Sequence, residues 1–348
     1  MWGVYRSSGI NARIDARGSE GGRYGNVLAA AGRNGKPRGR MKRVVLLFSG
    51  QGAQKVGMGA DFLSQSHACR DLATQADEVL GFALSKVMTE GPDEELTRTS
   101  RCQPALFLHG MMALALLRER LPGLEPVMAA GLSLGEFTAH AAAGTFPLAT
   151  GLQLVCKRGA FMEDACNATV GSMAALIGGE VEKIHELAAS ADVDVANFNS
   201  PGQIVLSGSM AGIDDAVARA KDYGIRRAIK LNVAGAYHSR LMKPAQERLA
   251  AELAAAPIQM PGIPVISNFA AKPVSSPEEI RETLEKQVTG SVRWTESIQH
   301  IAAQGHHLYL ELGPGKVLSG LVSKIDPEAT VHAIEDLATL EAAVAALA

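Results

Sequence analysis

The segment that most restricts the folds open to this chain spans residues 126–143. An apolar run at 127–130 leads into Gly131-Leu132-Ser133-Leu134-Gly135-Glu136, and a helix-forming run follows at 137–143. A strand, a sharp turn flanked by glycines and a helix, in that order, make a nucleophile elbow. Glycines two positions either side of Ser133 let the backbone turn without Cβ clashes, so the hydroxyl stands above the end of the strand. Ser133 is therefore the candidate nucleophile. An ordinary strand-to-helix turn is the alternative, so the rest of the chain has to decide.

The surrounding pattern alternates strands and helices, which argues for a doubly wound α/β body. Residues 44–48 form an unbroken β-type run of the kind buried on both faces of a parallel sheet, and lead directly into Ser49-Gly50-Gln51-Gly52-Ala53-Gln54. Helical patterns at 68–80 and 104–120, the elbow, and a helix from 147 to 165 follow. Between about 170 and 232 the order changes: strand 173–177, helix 180–189, strands 193–198 and 203–206, helix 213–223 and strand 227–231. That β-α-β-β-α-β order is the signature of a ferredoxin-like unit. The α/β body resumes with a strand at 264–269, a helix at 277–287 and a strand at 307–312 that ends in Gly313-Pro314-Gly315. The expected fold is α/β: an α/β-hydrolase-like large subdomain with a parallel sheet, made of residues 41–168 and 234–348, and an inserted ferredoxin-like small subdomain at 169–233.

Composition narrows the function classes. Eight Lys or Arg stand against Asp15 and Glu20 in residues 1–40, with many glycines and no periodic apolar face, so this stretch reads as a disordered basic extension. It lacks the apolar run of a secretory signal, and its Arg content only faintly resembles an organelle transit peptide. The whole chain has a formal charge of −2, giving no electrostatic case for nucleic acid. The longest apolar stretch, 105–117, is far short of the roughly 20 residues that cross a bilayer, so no membrane partner is expected. Cys69, Cys102, Cys156 and Cys166 show neither metal-ligand nor disulfide spacing, which fits a reducing, cytoplasmic compartment and no metal.

A serine hydroxyl needs a base, an oxyanion hole and a group that orients the base. Of the nine histidines, His238 lies in Gly235-Ala236-Tyr237-His238-Ser239, a small-residue loop where the inserted subdomain returns to the body, a natural cleft. The others fall within helical patterns or beside strands. The N–H of Leu134, at the start of the helix after the serine, is one oxyanion donor, and Gln51 in its glycine-rich loop fits the second.

Taken in order, Phe48-Ser49-Gly50-Gln51-Gly52-Ala53-Gln54, Gln103-Pro104-Ala105, the Ser133 elbow, Arg158-Gly159, Asn199-Ser200-Pro201-Gly202-Gln203, Tyr237-His238-Ser239, Val292-Arg293-Trp294 and Glu311-Leu312-Gly313-Pro314-Gly315 resemble the malonyl-CoA:acyl carrier protein transacylases over residues 43–340. By that resemblance Ser133 forms the acyl-enzyme and His238 is general base and then acid. Gln51 and Leu134 supply oxyanion donors, and the main-chain carbonyl of Gln287 orients the histidine. Arg158 holds the free carboxylate of the malonyl group, a two-point contact suited to a guanidinium fork. Asn199 matches a residue near the site, and Ala236-Tyr237-His238 resembles the malonyl-selective form of the loop. Arg226 and Arg227 match a basic pair that docks the carrier, with Lys230 beside them. The resemblance implies malonyl-CoA and holo acyl carrier protein as partners, no cofactor beyond their pantetheine, and a monomer. Two departures stand out: Leu132 where bacterial relatives commonly carry histidine, and Ser49 where many carry proline.

Three other readings share parts of this pattern. An acyltransferase serving a polyketide synthase keeps the chemistry. A serine esterase of the α/β-hydrolase type needs an acidic third member, for which Asp164, Asp192 and Asp194 are the available residues. A non-catalytic scaffold that binds the carrier needs none of the reactive groups.

Overall fold

The computed structural model describes residues 42–348, so the expectations for residues 1–40 lie outside the described residues. The central sheet has the order β2-β1-β7-β8, all parallel: β1 (Arg43–Phe48), β2 (Glu125–Gly131), β7 (Leu308–Leu312) and β8 (Thr330–Ile334). Strand β1 shows why its sequence is apolar throughout. Val44, Leu46 and Phe48 enter the core that holds the helix Thr99–Arg120, while Val45 and Leu47 enter the opposite one with Trp294, Ile298 and Tyr309. Both faces of the strand are thus dry, as in a doubly wound sheet.

The inserted unit forms a second, antiparallel sheet of order β4-β5-β3-β6: β3 (Gly171–Ile177), β4 (Asp194–Ser200), β5 (Gln203–Ser209) and β6 (Arg227–Lys230). With the helices Val181–Ser190 and Met210–Arg219 between them, these strands have the ferredoxin-like chain order and sheet order together. Their own core gathers Leu176, Ile184, Leu187, Leu206 and Ile213.

Three expectations need correction. The segment 264–269 is not a strand: it makes only isolated bridges, Ala129 with Val265 and Ile266 with Pro273. Pro264 and Pro273 both lack an N–H, so a ladder cannot extend through them. The helix expected from 104 begins at Thr99 and carries Pro104 inside it. The C-terminal region holds more than the helix at 277–287 and the strands at 264–269 and 307–312 read from it. It also contains the helices Lys243–Ala255, Trp294–Ala303, Val317–Ile325 and Leu337–Leu347 and the edge strand β8.

Parallel strands all point one way, so the loops after β1, β2 and β7 collect at one edge of the large subdomain. That edge is where open α/β sheets bind their ligands. At the same edge the main chain at Ala196 and Phe198 of β4 hydrogen-bonds to Val292, joining the two subdomains.

Candidate active site

The turn after β2 is as tight as its glycines suggest. A Cβ on Gly131 would lie 2.0 Å from the carbonyl carbon of Gly135, and one on Gly135 would lie 2.1 Å from the Phe48 carbonyl oxygen. Between them Ser133 takes φ 55° and ψ −103°, a conformation that costs about 1–3 kcal/mol and persists only where the surroundings enforce it. Asn268 does part of that enforcement, its Oδ1 accepting from the Ser133 N–H at 2.6 Å and its Nδ2 donating to the Gly131 carbonyl at 2.8 Å. Gly135→Ala is expected to destabilise the protein by about 3 kcal/mol, because the new methyl cannot be accommodated without moving β1 from the elbow. Thermal denaturation checks this; an unchanged melting temperature would contradict it.

Ser133 Oγ and His238 Nε2 are 2.8 Å apart, although 105 residues separate them in the chain. His238 also holds a positive φ of 56°, and its Nδ1 is 2.8 Å from the main-chain carbonyl of Gln287. That carbonyl accepts from Nδ1–H and leaves the Nε2 lone pair facing the serine. Burial, and then the neighbouring Arg158 cation, push the His238 pKa down to about 4, against hydrogen bonds that raise it. The ring is therefore neutral, and able to accept a proton, across the physiological range.

Arg158 is 1% exposed. Its guanidinium donates to Gln103 Oε1 at 2.8 Å, to Ser133 Oγ at 3.0 Å and to Gln287 Oε1 at 2.9 Å, while its Nε has no partner among the described residues. All three acceptors are neutral. A buried cation with only neutral partners is poorly compensated, and burial pulls its pKa down to about 10. Gly159 lets the helix Leu148–Ala168 that carries Arg158 press against the start of the helix Thr99–Arg120, where a Cβ would meet the Thr99 carbonyl at 2.5 Å.

Gln287 serves twice. Its main chain holds His238, and its side-chain amide, besides accepting from Arg158, donates to the Ser133 carbonyl at 2.9 Å and to Glu136 Oε2 at 2.6 Å. Glu136 is fully buried and also accepts from the Asn268 N–H at 3.0 Å. Its own burial, offset in part by these bonds and by Arg158, lifts its pKa to about 7.

The Leu134 and Gln51 N–H groups have no acceptor among the described residues, and both lie in the loops that converge on Ser133. Gly50 allows that convergence, since a Cβ there would be 2.6 Å from the Leu132 carbonyl oxygen. Tyr237 is buried with its hydroxyl 2.8 Å from Thr99 Oγ1 and 3.5 Å from Gln51 Nε2. Asn199 is not drawn into this network: it makes no hydrogen bond to these residues, and its Oδ1 has no partner. Arg226 and Arg227 are exposed, Arg227 opening the edge strand β6, and neither is in an ion pair among the described residues, whereas Lys230 is held by Asp214 at 2.6 Å.

The acids an esterase triad would need are engaged elsewhere. Asp164 pairs with Arg248, and Asp192 and Asp194 both pair with Arg240. Sequence reading missed four members of the site: Asn268, Glu136, Thr99 and the side chain of Gln103. Asn268 sits in a segment read as an apolar strand. Glu136, an acid in the first turn of a helix that is buried throughout, is the signal that was available.

Comparison with known proteins places this geometry in context. The profile of the acyl transferase domain matches residues 45–338. The chain is 41% identical over 312 residues to the malonyl CoA-acyl carrier protein transacylase of Bacillus subtilis (strain 168), covering 88% of this chain and 98% of that one. A solved malonyl-CoA:acyl carrier protein transacylase from Xanthomonas oryzae pv. oryzae superposes with a TM-score of 0.83 at 38% identity, over 87% of this chain and 98% of that one. A malonyl-transacylase solved in complex with a type II PKS acyl-carrier protein gives 0.84 at 35% identity, over 88% and 100%.

Proposed function

The chain belongs to the acyl transferase domain family, and on that premise we propose that it moves a malonyl group from malonyl-CoA to the phosphopantetheine thiol of holo acyl carrier protein, by way of malonyl-Ser133, to supply fatty acid synthesis. The observation that carries this reading is Arg158: a buried guanidinium bonded to the nucleophile and two neutral amides, with no carboxylate among its ion-pair partners. A substrate carrying a free carboxylate beside its reactive carbonyl fits that environment. A neutral acetyl group leaves the cation uncompensated, which disfavours it by a few kcal/mol.

The steps follow from the contacts. Ser133 Oγ attacks the thioester carbonyl as His238 Nε2 takes its proton, and the Leu134 and Gln51 N–H groups receive the developing oxyanion. The carbon–sulfur bond breaks, and the CoA sulfur leaves as a thiol with the proton returned by His238. The carrier's thiol then attacks malonyl-Ser133 by the same route in reverse, which makes the reaction ping-pong. The neutral Gln287 carbonyl keeps the ring in the required tautomer throughout. All these groups come from one chain, so a monomer suffices. The four free cysteines fit a reducing, cytoplasmic setting, and no helix among the described residues is long and apolar enough to cross a membrane.

An acidic carrier would dock on Arg226 and Arg227, which are exposed and free of acidic partners among the described residues. The complex of a similar enzyme with a polyketide carrier favours a second reading, in which the partner is a polyketide carrier and the chemistry is unchanged.

The test is the fate of the acyl group. Purified protein charged with malonyl-CoA is mixed with holo carrier, with apo carrier that lacks the phosphopantetheine thiol, or with buffer. Transfer is expected to the holo carrier alone, at least about 100-fold faster than malonate release. Release to water at a comparable rate would favour an esterase, and no acylation would leave a scaffold.

A further inference from the structure

Glu136 is the one acid in the site that the transfer mechanism leaves unused. It reaches Arg158 at second hand: guanidinium to Gln287 Oε1 at 2.9 Å, then Gln287 Nε2 to Glu136 Oε2 at 2.6 Å. The carboxyl, the amide and the guanidinium are all buried. Among the described residues one oxygen of the carboxyl, Oε1, has no hydrogen-bond partner, and neither does Nε of the guanidinium. A site of this kind holds one cation, one acid already present, and a substrate that brings a second.

We propose that Glu136 and the free carboxylate of the malonyl group compete for the single positive charge of Arg158, so that Glu136 takes up a proton from solvent when a malonyl group enters. The inference rests on the malonyl-transfer reading and adds to it a proton-linked control of which acyl group is accepted. Two carboxylates that share one cation in a water-poor site cannot both stay ionised without cost, because their repulsion is little screened there. Among the described residues, the groups around Glu136 offer no second cation. Asn268 gives a neutral N–H and Gln287 a neutral amide. His238 is held on the Gln287 carbonyl with its pKa near 4, and His140, one turn along the same helix, is buried against Thr145 and pushed down to about 3. Among the described residues Arg158 is thus the only charge that can compensate either acid.

The sign follows from linkage. Glu136 in the free protein has its pKa raised to about 7, and an entering carboxylate raises it further. Well below pH 7 the acid is neutral with or without substrate, and malonyl binding does not depend on pH through it. Above pH 7 the protein must take up a proton to bind, so malonyl affinity falls as pH rises, by at most about tenfold per pH unit. Acetyl-CoA carries no second carboxylate and is the internal control, since it shares the CoA moiety, Ser133 and His238.

The first measurement uses the parent protein and a pH indicator dye during the acylation burst near pH 7.5. Acylation itself is proton-neutral there, because the serine proton ends on the CoA thiol. Uptake of roughly half a proton or more per malonyl-serine, with none for acetyl-CoA, is expected from the linkage. Malonyl-serine formed without proton uptake overturns the proposal and leaves the transferase reading standing; no malonyl-serine at all overturns both. The second measurement compares kcat/KM for malonyl-CoA relative to acetyl-CoA between pH 6.5 and 8.5. The ratio is expected to fall about tenfold in the parent and to stay flat in Glu136→Gln. An equal slope in parent and variant overturns the proposal, and the dye measurement decides alone if the variant does not fold.

Discussion

Replacing Ser133 with alanine is expected to abolish the covalent malonyl adduct and to lower transfer to the carrier by at least about 10⁴-fold, the scale on which removing a serine nucleophile acts. The size follows from how the site is assembled. The elbow's strained backbone, the Asn268 bonds and the neutral His238 ring all converge on one oxygen, and none of them offers a substitute nucleophile. The fold should survive, because the hydroxyl's two partner side chains stay anchored without it, His238 through Nδ1 on the Gln287 carbonyl and Arg158 through Gln103 and Gln287. Intact mass after exposure to malonyl-CoA, read beside a melting curve, checks both parts. A folded Ser133→Ala protein that still charged with malonate would place the nucleophile elsewhere.

Arg158→Ala is expected to remove most of the preference for malonyl over acetyl groups. Truncating one partner of a buried, hydrogen-bonded charge pair costs about 2–5 kcal/mol, so kcat/KM for malonyl-CoA should fall by about 30- to 4,000-fold. Acetyl-CoA should lose far less, or gain, because it no longer leaves a cation uncompensated. Arg158→Lys should recover only part of the loss: an ammonium cannot reach Gln103 and Gln287 at once while presenting a two-point contact to the substrate. Acylation rates with the two thioesters measure the ratio directly. Equal losses for both would show that the arginine supports the fold rather than choosing the acyl group.

What the sequence made legible divides along the range of the interactions. The elbow is local, so the Gly131 and Gly135 spacing showed it, and the same glycines prove to be sites where a Cβ cannot fit. The inserted unit was legible because its strands and helices alternate at lengths the chain cannot disguise, and strands β3 to β6 take the sheet order that chain order implies. The meeting of Ser133 with His238 depends on the return of the chain from the inserted unit, which loop composition suggested and only the resemblance made specific. Gln287 acts through a main-chain carbonyl, which leaves no mark on residue type. Asn268 was hidden for a different reason. Its apolar neighbours Val265 and Ile266 read as strand, while the flanking prolines keep the segment out of the sheet as an irregular stretch from which the asparagine reaches the elbow. Glu136 was in plain view but had no motif of its own; its meaning comes from the Gln287 amide that links it to Arg158.

Everything proposed for this protein turns on Ser133 carrying a malonyl group between two thiols. That role is tested most directly by a brief exposure of the parent protein to malonyl-CoA, peptide mapping of the modified residue by mass spectrometry, and a chase with holo carrier protein. A single malonyl adduct is expected on the peptide containing Ser133, disappearing as malonyl-carrier accumulates in equal amount. An adduct on another residue, or one that persists while the carrier becomes charged, would contradict it.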